Sequence, residues 1–525
     1  MGRLEDDMEK NLTLTKESLS QGNWPASYKL PGFDIEAMTQ RTKEAPTWLH
    51  IGAGNIFRIF LAGLQQDLLD AGHTNTGIVV YESYDEGIIP ASFTPYDNLT
   101  LAVSLGEDGS IQKRIIASMA DAFHSDLERL SQVIAMPSLQ IITFTITEKG
   151  YAAQNICKSP SNAATAMEQV TAGLLARYNA DAPPLALVAM DNFAENGTKV
   201  SAAAIAIAKA WQENNQAPAG FAEYVQAQSY PWTMIDKITP SPSPAVAKIL
   251  ESEGFASTAI TQTAKHTTIA PFVNAEGPQY LVIEDAFPNG RPPFEKAIGA
   301  GVYLTDRETV RKSDQMKVCA CLNPLHTILG VCGTLLGYPT IAACMQDKRL
   351  VALINHAARE AMPTVANPGI INPQDFLNEV VTKRFPNPFI PDTPARINMD
   401  ASQKIPVRFG VTLSARSAAG MDIAGLEAIP RFIALWLRYR MATDDTGAPM
   451  ALSPDPKLPA AVLPLEGLRL GEDAKTADLQ PILSDTDTFG VDLYAAGLAG
   501  KITEIFTESA SQPGAVSRLL SEWYA

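Results

Sequence analysis

The sequence predicts an α/β chain: a mostly parallel sheet covered by helices on both faces, followed by a largely helical second part. Three observations carry this. TWLHIGAGNIFRIFLAGLQQDLLDAG, from Thr47, reads as a short apolar strand, a glycine turn and a helix in which Ile56, Ile59, Phe60, Leu64 and Leu68 recur at helical spacing. Further apolar runs, GIVVYES (77–83), LQIITFTIT (139–147) and LALVAMD (185–191), are separated by helical or polar stretches such as ASMADAFHSDLERLSQVIAM. Strands buried on both faces read as unbroken apolar runs, and their alternation with helices predicts parallel crossovers. Beyond about residue 305 the chain turns to Ala- and Leu-rich stretches of helical period (CLNPLHTILGVCGTLLG, KRLVALINHAAREAM, AGLEAIPRFIALWLRYRMAT, SRLLSEWYA), so two domains are expected, 1–305 and 306–525.

The first 30 residues are polar and suit a peripheral arm or short helix. SYPWTMIDKITPSPSP (229–244) is rich in Pro and Ser and reads as a loop, and FPNGRPPFEKA (287–297) is dense in turn signals. Among 525 residues, 41 Lys and Arg against 57 Asp and Glu give a net charge of −16, which repels nucleic acid and anionic lipid. No run reaches the 18 to 20 uninterrupted apolar residues of a membrane span, and the opening segment is too acidic and polar for a signal peptide, so a cytosolic place is expected. Four of the five cysteines (Cys319, Cys321, Cys332, Cys344) fall within 26 residues, in a spacing that matches no zinc pattern. The six histidines show no HExxH or other paired spacing, and no metal centre is expected.

Gly52-Ala53-Gly54 lies between strand and helix, where small residues let the backbone approach a pyrophosphate and the helix start offers free N–H groups. Phe57 stands at the third glycine position of GxGxxG, and the same residues also suit a plain tight turn. Glu82 ends the second strand, where a carboxylate can hydrogen-bond ribose hydroxyls and repel a 2′-phosphate; Asp85 competes for that role, and either also suits a solvated strand end. By themselves Asn192 and Asn323 suit amide caps at element ends, and His326 a core histidine.

Seven blocks in one order give these residues a wider context: HIGAGNIFR (50–58), TITEKGY (145–151), MDNFAENG (190–197), YPWTMIDKITP (230–240), IEDAFPNGRPPFEKA (283–297), MKVCACLNPLHT (316–327) and RFPNPFIPDTPARINMDASQKIP (384–406). By these blocks the chain resembles the mannitol dehydrogenase family of polyol-specific long-chain dehydrogenases. The resemblance implies an N-terminal Rossmann-type domain, a helical C-terminal domain and an active site in the cleft between them. It implies NAD as cofactor, with contacts from Gly52, Gly54, Asn55, Phe57, Arg58, Glu82 and Glu148. Lys317 matches the family's general base, a role a lysine fills only when burial or nearby positive charge pulls its pKa below about 10.4. Asn192 and Asn323 match the amides that stabilise the reacting oxygen, His326 the residue that orients a substrate hydroxyl, and Arg396, Lys404 and Asp236 the substrate contacts. GAGNIFR and CLNPLHT look most like members that interconvert mannonate and fructuronate. Mannitol with fructose, or tagaturonate, are the alternative substrates, and an NAD-binding sensor without chemistry is the alternative class. Oligomeric state is not legible.

One departure from the family pattern sets a structural problem. The motif has four residues between its lysine and asparagine, whereas five (VCACL) separate Lys317 from Asn323 here. In an unbroken helix, at about 100° per residue, Lys317 and His326 fall about 180° apart. Something must break the phase: Pro324, which removes a helical hydrogen bond, or a π-bulge that absorbs the extra residue. Lys312 is the fallback base.

Overall fold

Five strands of four to six residues, almost wholly buried, build the sheet in the computed structural model, which describes residues 12–297, 299 and 301–524. They are β1 (Trp48–Ile51), β2 (Ile78–Glu82), β3 (Met119–His124), β4 (Ile141–Phe144) and β5 (Ala186–Ala189), ordered β3-β2-β1-β4-β5 and parallel throughout. Alternate side chains face opposite helical layers. Trp48, Ile78, Val80 and Ile141 pack with Phe57, Phe60, Leu64 and Leu68 on one face. Leu49, Ile51, Val79, Tyr81, Ile142 and Phe144 pack on the other with the helices Ala166–Asn179 and Asn196–Glu213. The strand order reverses between β1 and β4, and beyond the carboxyl ends of the strands at such a point α/β sheets bind ligands.

The fold class is the one the sequence predicts, with local corrections. Met119–His124, inside a stretch taken as helical or polar, is the edge strand β3, and helix Leu127–Ala135 follows it. An edge strand needs only one paired side and tolerates polar residues, here Asp121, which Arg129 of that helix engages. Thr233–Asp236, inside the segment read as a loop, is a buried strand antiparallel to Tyr280–Glu284, which pairs in parallel with Val302–Thr305. Its four residues are hidden among the turn signals on either side. Of the N-terminal arm, residues 1–11 lie outside the described part; Tyr28–Lys29 pairs with Ile111–Ile116, and Trp24 and Tyr28 pack on Phe255.

The described residues form two units, Met1–Arg311 and Lys312–Ala525, the first containing the sheet and the second predominantly helical. In the second unit, helix Ala428–Tyr439 is buried along almost its whole length and packs against Asn323–Leu335, Lys348–Ala361 and Ala499–Ser509. Glu360 secures its start: Oε1 accepts from the N–H groups of Glu427 and Ala428 at 2.6 and 2.9 Å, and Oε2 from Ile429 at 2.9 Å. A carboxylate there satisfies amides that have no acceptor within the helix and meets the positive end of its dipole. The helical run Arg307–Leu335 contains an 18-residue window apolar enough to cross a membrane, but 78% of that window is buried inside the protein, as in a core helix.

Candidate functional site

The glycine turn sits where the strand order reverses. Gly52 has φ +104°, and a Cβ there would lie 2.5 Å from the carbonyl oxygen of Thr145, at the end of β4, so the position requires glycine. A Cβ on Gly54 would meet nothing within 4 Å, leaving its face open. The helix opening at Asn55 has first-turn amides without intrahelical acceptors, and Asn55 itself holds a buried amide oxygen with no partner among the described residues. A closed first glycine, an open second one and a helix start beside them fit a dinucleotide pyrophosphate.

Glu82, rather than Asp85, holds this turn. Its Oε2 accepts from Ala53 N–H at 2.7 Å and its Oε1 from Tyr84 and Asp85 N–H at 2.8 and 3.0 Å, while Asp85 accepts from the Thr263 hydroxyl at 2.6 Å. Both carboxylates are buried. Phe57 stacks on His50 at 3.9 Å, and the His50 ring contacts the hydroxyls of Thr143 and Thr145 at 2.6 and 3.0 Å. Burial lowers the His50 pKa well below the usual value. Arg58 is fully buried, donating to Thr100 Oγ1 at 3.0 Å and the Ala270 carbonyl at 2.9 Å, and burial pulls its guanidinium down to about 9. This places Arg58 as a brace between the helix and the neighbouring sheet. Glu148 is exposed and pairs with Lys199.

At the end of β5 a half-buried carboxylate clamps two loops together. Asp191 accepts from Ile146 N–H at 2.9 Å, Thr147 N–H at 3.2 Å and Tyr151 Oη at 2.7 Å. Burial raises the Asp191 pKa and keeps the Tyr151 hydroxyl protonated well above its ordinary range. Thr147 and Glu195 hold φ +64° and +53°, strained values for residues other than glycine, and they flank Asn192 along the chain. Asn196 ties this corner to the next sheet, donating to Thr233 Oγ1 at 2.8 Å and accepting from Thr233 N–H at 3.0 Å. Asp236, buried, ends that strand.

In the second unit the phase problem is solved by a π-turn. Lys317–Cys321 is π-helical, closed by Leu322 N–H to Lys317 C=O at 3.2 Å, and Leu322 (φ −135°, ψ −64°) leaves helical geometry before Asn323–Leu335 begins. One looped-out residue removes about 100° from the offset between Lys317 and His326. Pro324 takes the second position of the new helix, where its missing N–H costs nothing. Lys317 is fully buried, its Nζ 3.7 Å from Asp314 Oδ1.

Around the start of that helix the second unit gathers positive charge. His326 Nε2 lies 3.1 Å from Asp392 Oδ2. Burial pushes the His326 pKa down against the pull of Asp392, and Arg408 and Arg396 push it the same way, so the imidazole is neutral near pH 7. Burial would raise Asp392, but His326 and Arg396 hold it at about 2. Arg396 grips Asp392 with both Nε and Nη2 at 2.6 Å. Lys404 donates to Ile397 C=O at 2.9 Å, and burial with Arg408 beside it draws its ammonium down to about 8. Arg408 reaches the Asn323 carbonyl at 3.3 Å and the Thr327 hydroxyl.

Asp392, Asp191 and Thr145 are the contributors that the motifs did not mark, whereas Arg408 shares one short segment with Arg396 and Lys404. Asp392 had a signal, its i, i+4 spacing to Arg396, and Thr145 opens one of the blocks. The partners of Asp191 are far away in sequence and carry none.

The family description "Mannitol dehydrogenase Rossmann domain" matches residues 46–296, and "Mannitol dehydrogenase C-terminal domain" matches residues 309–508. The D-mannonate oxidoreductase of Thermotoga maritima is 44% identical over 512 residues, 94% of this chain and 95% of that protein. The mannitol 2-dehydrogenase of Cereibacter sphaeroides is 28% identical, over 79% of this chain and 84% of its own. A solved structure of Pseudomonas fluorescens mannitol 2-dehydrogenase, a ternary complex with NAD and D-mannitol, has the same fold, with a TM-score of 0.72 at 24% identity over 97% of this chain and 99% of that one.

The two glycines separate stability from binding. Gly52→Ala is expected to destabilise the protein by about 1 to 3 kcal/mol in urea unfolding. Gly54→Ala should unfold like the wild type yet weaken NADH at least about tenfold in a fluorescence titration, as a methyl keeps the pyrophosphate from the backbone. Wild-type NADH affinity in Gly54→Ala would separate this turn from nucleotide binding.

Proposed function

The chain belongs to the mannitol dehydrogenase family of oxidoreductases acting on secondary alcohols, and from that membership we propose that it interconverts D-mannonate and D-fructuronate with NAD as cofactor and Lys317 as general base. The observation that carries the substrate is the 44% identity, across 94% of the chain, to a D-mannonate oxidoreductase, against 28% to a mannitol 2-dehydrogenase. The cations Lys404 and Arg408 support a substrate that bears a carboxylate, since a desolvated anion needs a fixed positive partner.

Gly52, Gly54 and the helix start at Asn55 would hold the pyrophosphate, with Glu82 fixing the turn; bound there, NAD would supply the hydride acceptor for alcohol oxidation. Lys317 takes the hydroxyl proton as the alcohol is oxidised and returns it as the ketone is reduced. The amides of Asn323 and Asn192 donate to the oxygen as it gains alkoxide character, a contribution that grows toward the transition state. His326, neutral and fixed by Asp392, directs a substrate hydroxyl.

A second reading has one observation in its favour. The Nε–Nη2 edge of Arg396 is already satisfied by Asp392, which leaves that arginine suited to hydroxyl contacts and hence to an uncharged polyol. NADH consumption in the presence of EDTA decides between them. Fructuronate reduction should exceed fructose reduction by about two orders of magnitude in kcat/KM. Equal rates would move the assignment to mannitol and fructose.

The pH dependence of binding follows from Lys404. An anion is held by the protonated ammonium, which is present below about pH 8 and lost above it. The KM for fructuronate should therefore rise as pH increases through 8, with fructose KM unchanged over the same range. Parallel changes for both substrates would take Lys404 out of carboxylate binding.

A further inference from the structure

Arg408 is a cation that the protein leaves without a carboxylate. Its Nη1 donates to two neutral acceptors, the Asn323 carbonyl and the Thr327 hydroxyl. Its Nε and Nη2 hydrogen-bond to no protein atom, and no carboxylate pairs with it, among the described residues. The neighbouring cations differ. Arg396 has its fork on Asp392, and Lys404 has Asp400 and Asp455 nearby. Arg177, which is fully buried, places Nε, Nη1 and Nη2 on four backbone carbonyls.

The Arg408 side chain is half-buried, and desolvation draws its guanidinium down to about 10 with no anion opposing it. Its charge also depresses both His326 and Lys404, so it lies within the same positive cluster. The unused Nε–Nη2 edge is the two-donor fork that matches a planar carboxylate. Anchoring of Nη1 fixes the fork relative to Asn323, one of the amides assigned to the reacting oxygen, so a carboxylate on it stands at a set distance along the substrate chain.

We propose that Arg408 selects a six-carbon substrate with a terminal carboxylate, an aldonate or ketouronate, over the uncharged polyol of the same length. The proposal rests on the sugar-acid reading and adds the residue that enforces it. The test is calorimetric titration of the NADH-loaded protein with D-mannonate and D-mannitol, two alcohols that NADH cannot turn over. Arg408→Gln keeps a donor for Asn323 and Thr327 but removes the charge. It should weaken D-mannonate by at least about 30-fold while D-mannitol changes less than about threefold. Arg408→Lys, the milder change, should still lower the mannonate-to-mannitol affinity ratio by at least about fivefold, because an ammonium lacks the two-donor edge. Equal weakening of both ligands, or a wild-type ratio in either variant, would overturn the proposal and leave Arg408 as an anchor for Asn323. If the wild-type protein itself shows no preference for D-mannonate, the sugar-acid reading fails as well, which the first titration alone reveals.

Discussion

The hydrogen bond from Leu322 N–H to the carbonyl of Lys317 spans five residues instead of four, and the arrangement of the second unit's chemical groups depends on it. A regular helix through this stretch would send Lys317 and His326 to opposite faces. The segment 406–412 is bonded to this stretch at three points. Thr412 Oγ1 donates to Cys319 C=O at 3.4 Å, Cys319 Sγ to Val407 C=O at 3.3 Å, and Arg408 to Asn323 C=O. That segment is itself π-helical over Pro406–Gly410 and packs against the first turn. Phe57–Leu61 and Val380–Arg384 are π-helical too, and all four turns fall in or beside the motif blocks. A conformation this uncommon survives where function holds it in place.

Charge is the second constraint. The chain as a whole is acidic, yet His326 and three cations cluster near the start of one helix with Asp392 held ionised among them. Asp392 serves two neighbours at once, fixing the His326 ring and occupying the Arg396 fork. Positive charge is thereby left over, mainly on Arg408 and Lys404. That excess suits an anionic substrate, as proposed above.

Much of this was legible in the sequence because it rests on local pattern. The strand, glycine turn and helix from Thr47 follow from periodicity and small residues, and the need for a break between Lys317 and His326 follows from counting residues. What the sequence left open was which device makes the break; the answer depends on how 406–412 packs. Tertiary pairing hid the rest. The bonds of the Glu82 oxygens to Ala53, Tyr84 and Asp85, and of Arg58 to Thr100 and Ala270, join residues that no local pattern links. Strands β3 and Thr233–Asp236 escaped notice because an edge position and flanking prolines mask a short apolar pattern.

The central claim is that the π-turn delivers Lys317, and not Lys312 five residues earlier, as the proton acceptor. Single-turnover oxidation of D-mannonate by NAD tests it most directly in the two alanine variants. The account predicts that Lys317→Ala slows this step by about 10² to 10⁴ with D-mannonate affinity little changed, while Lys312→Ala stays close to wild type. A slow Lys312→Ala beside a competent Lys317→Ala would contradict it.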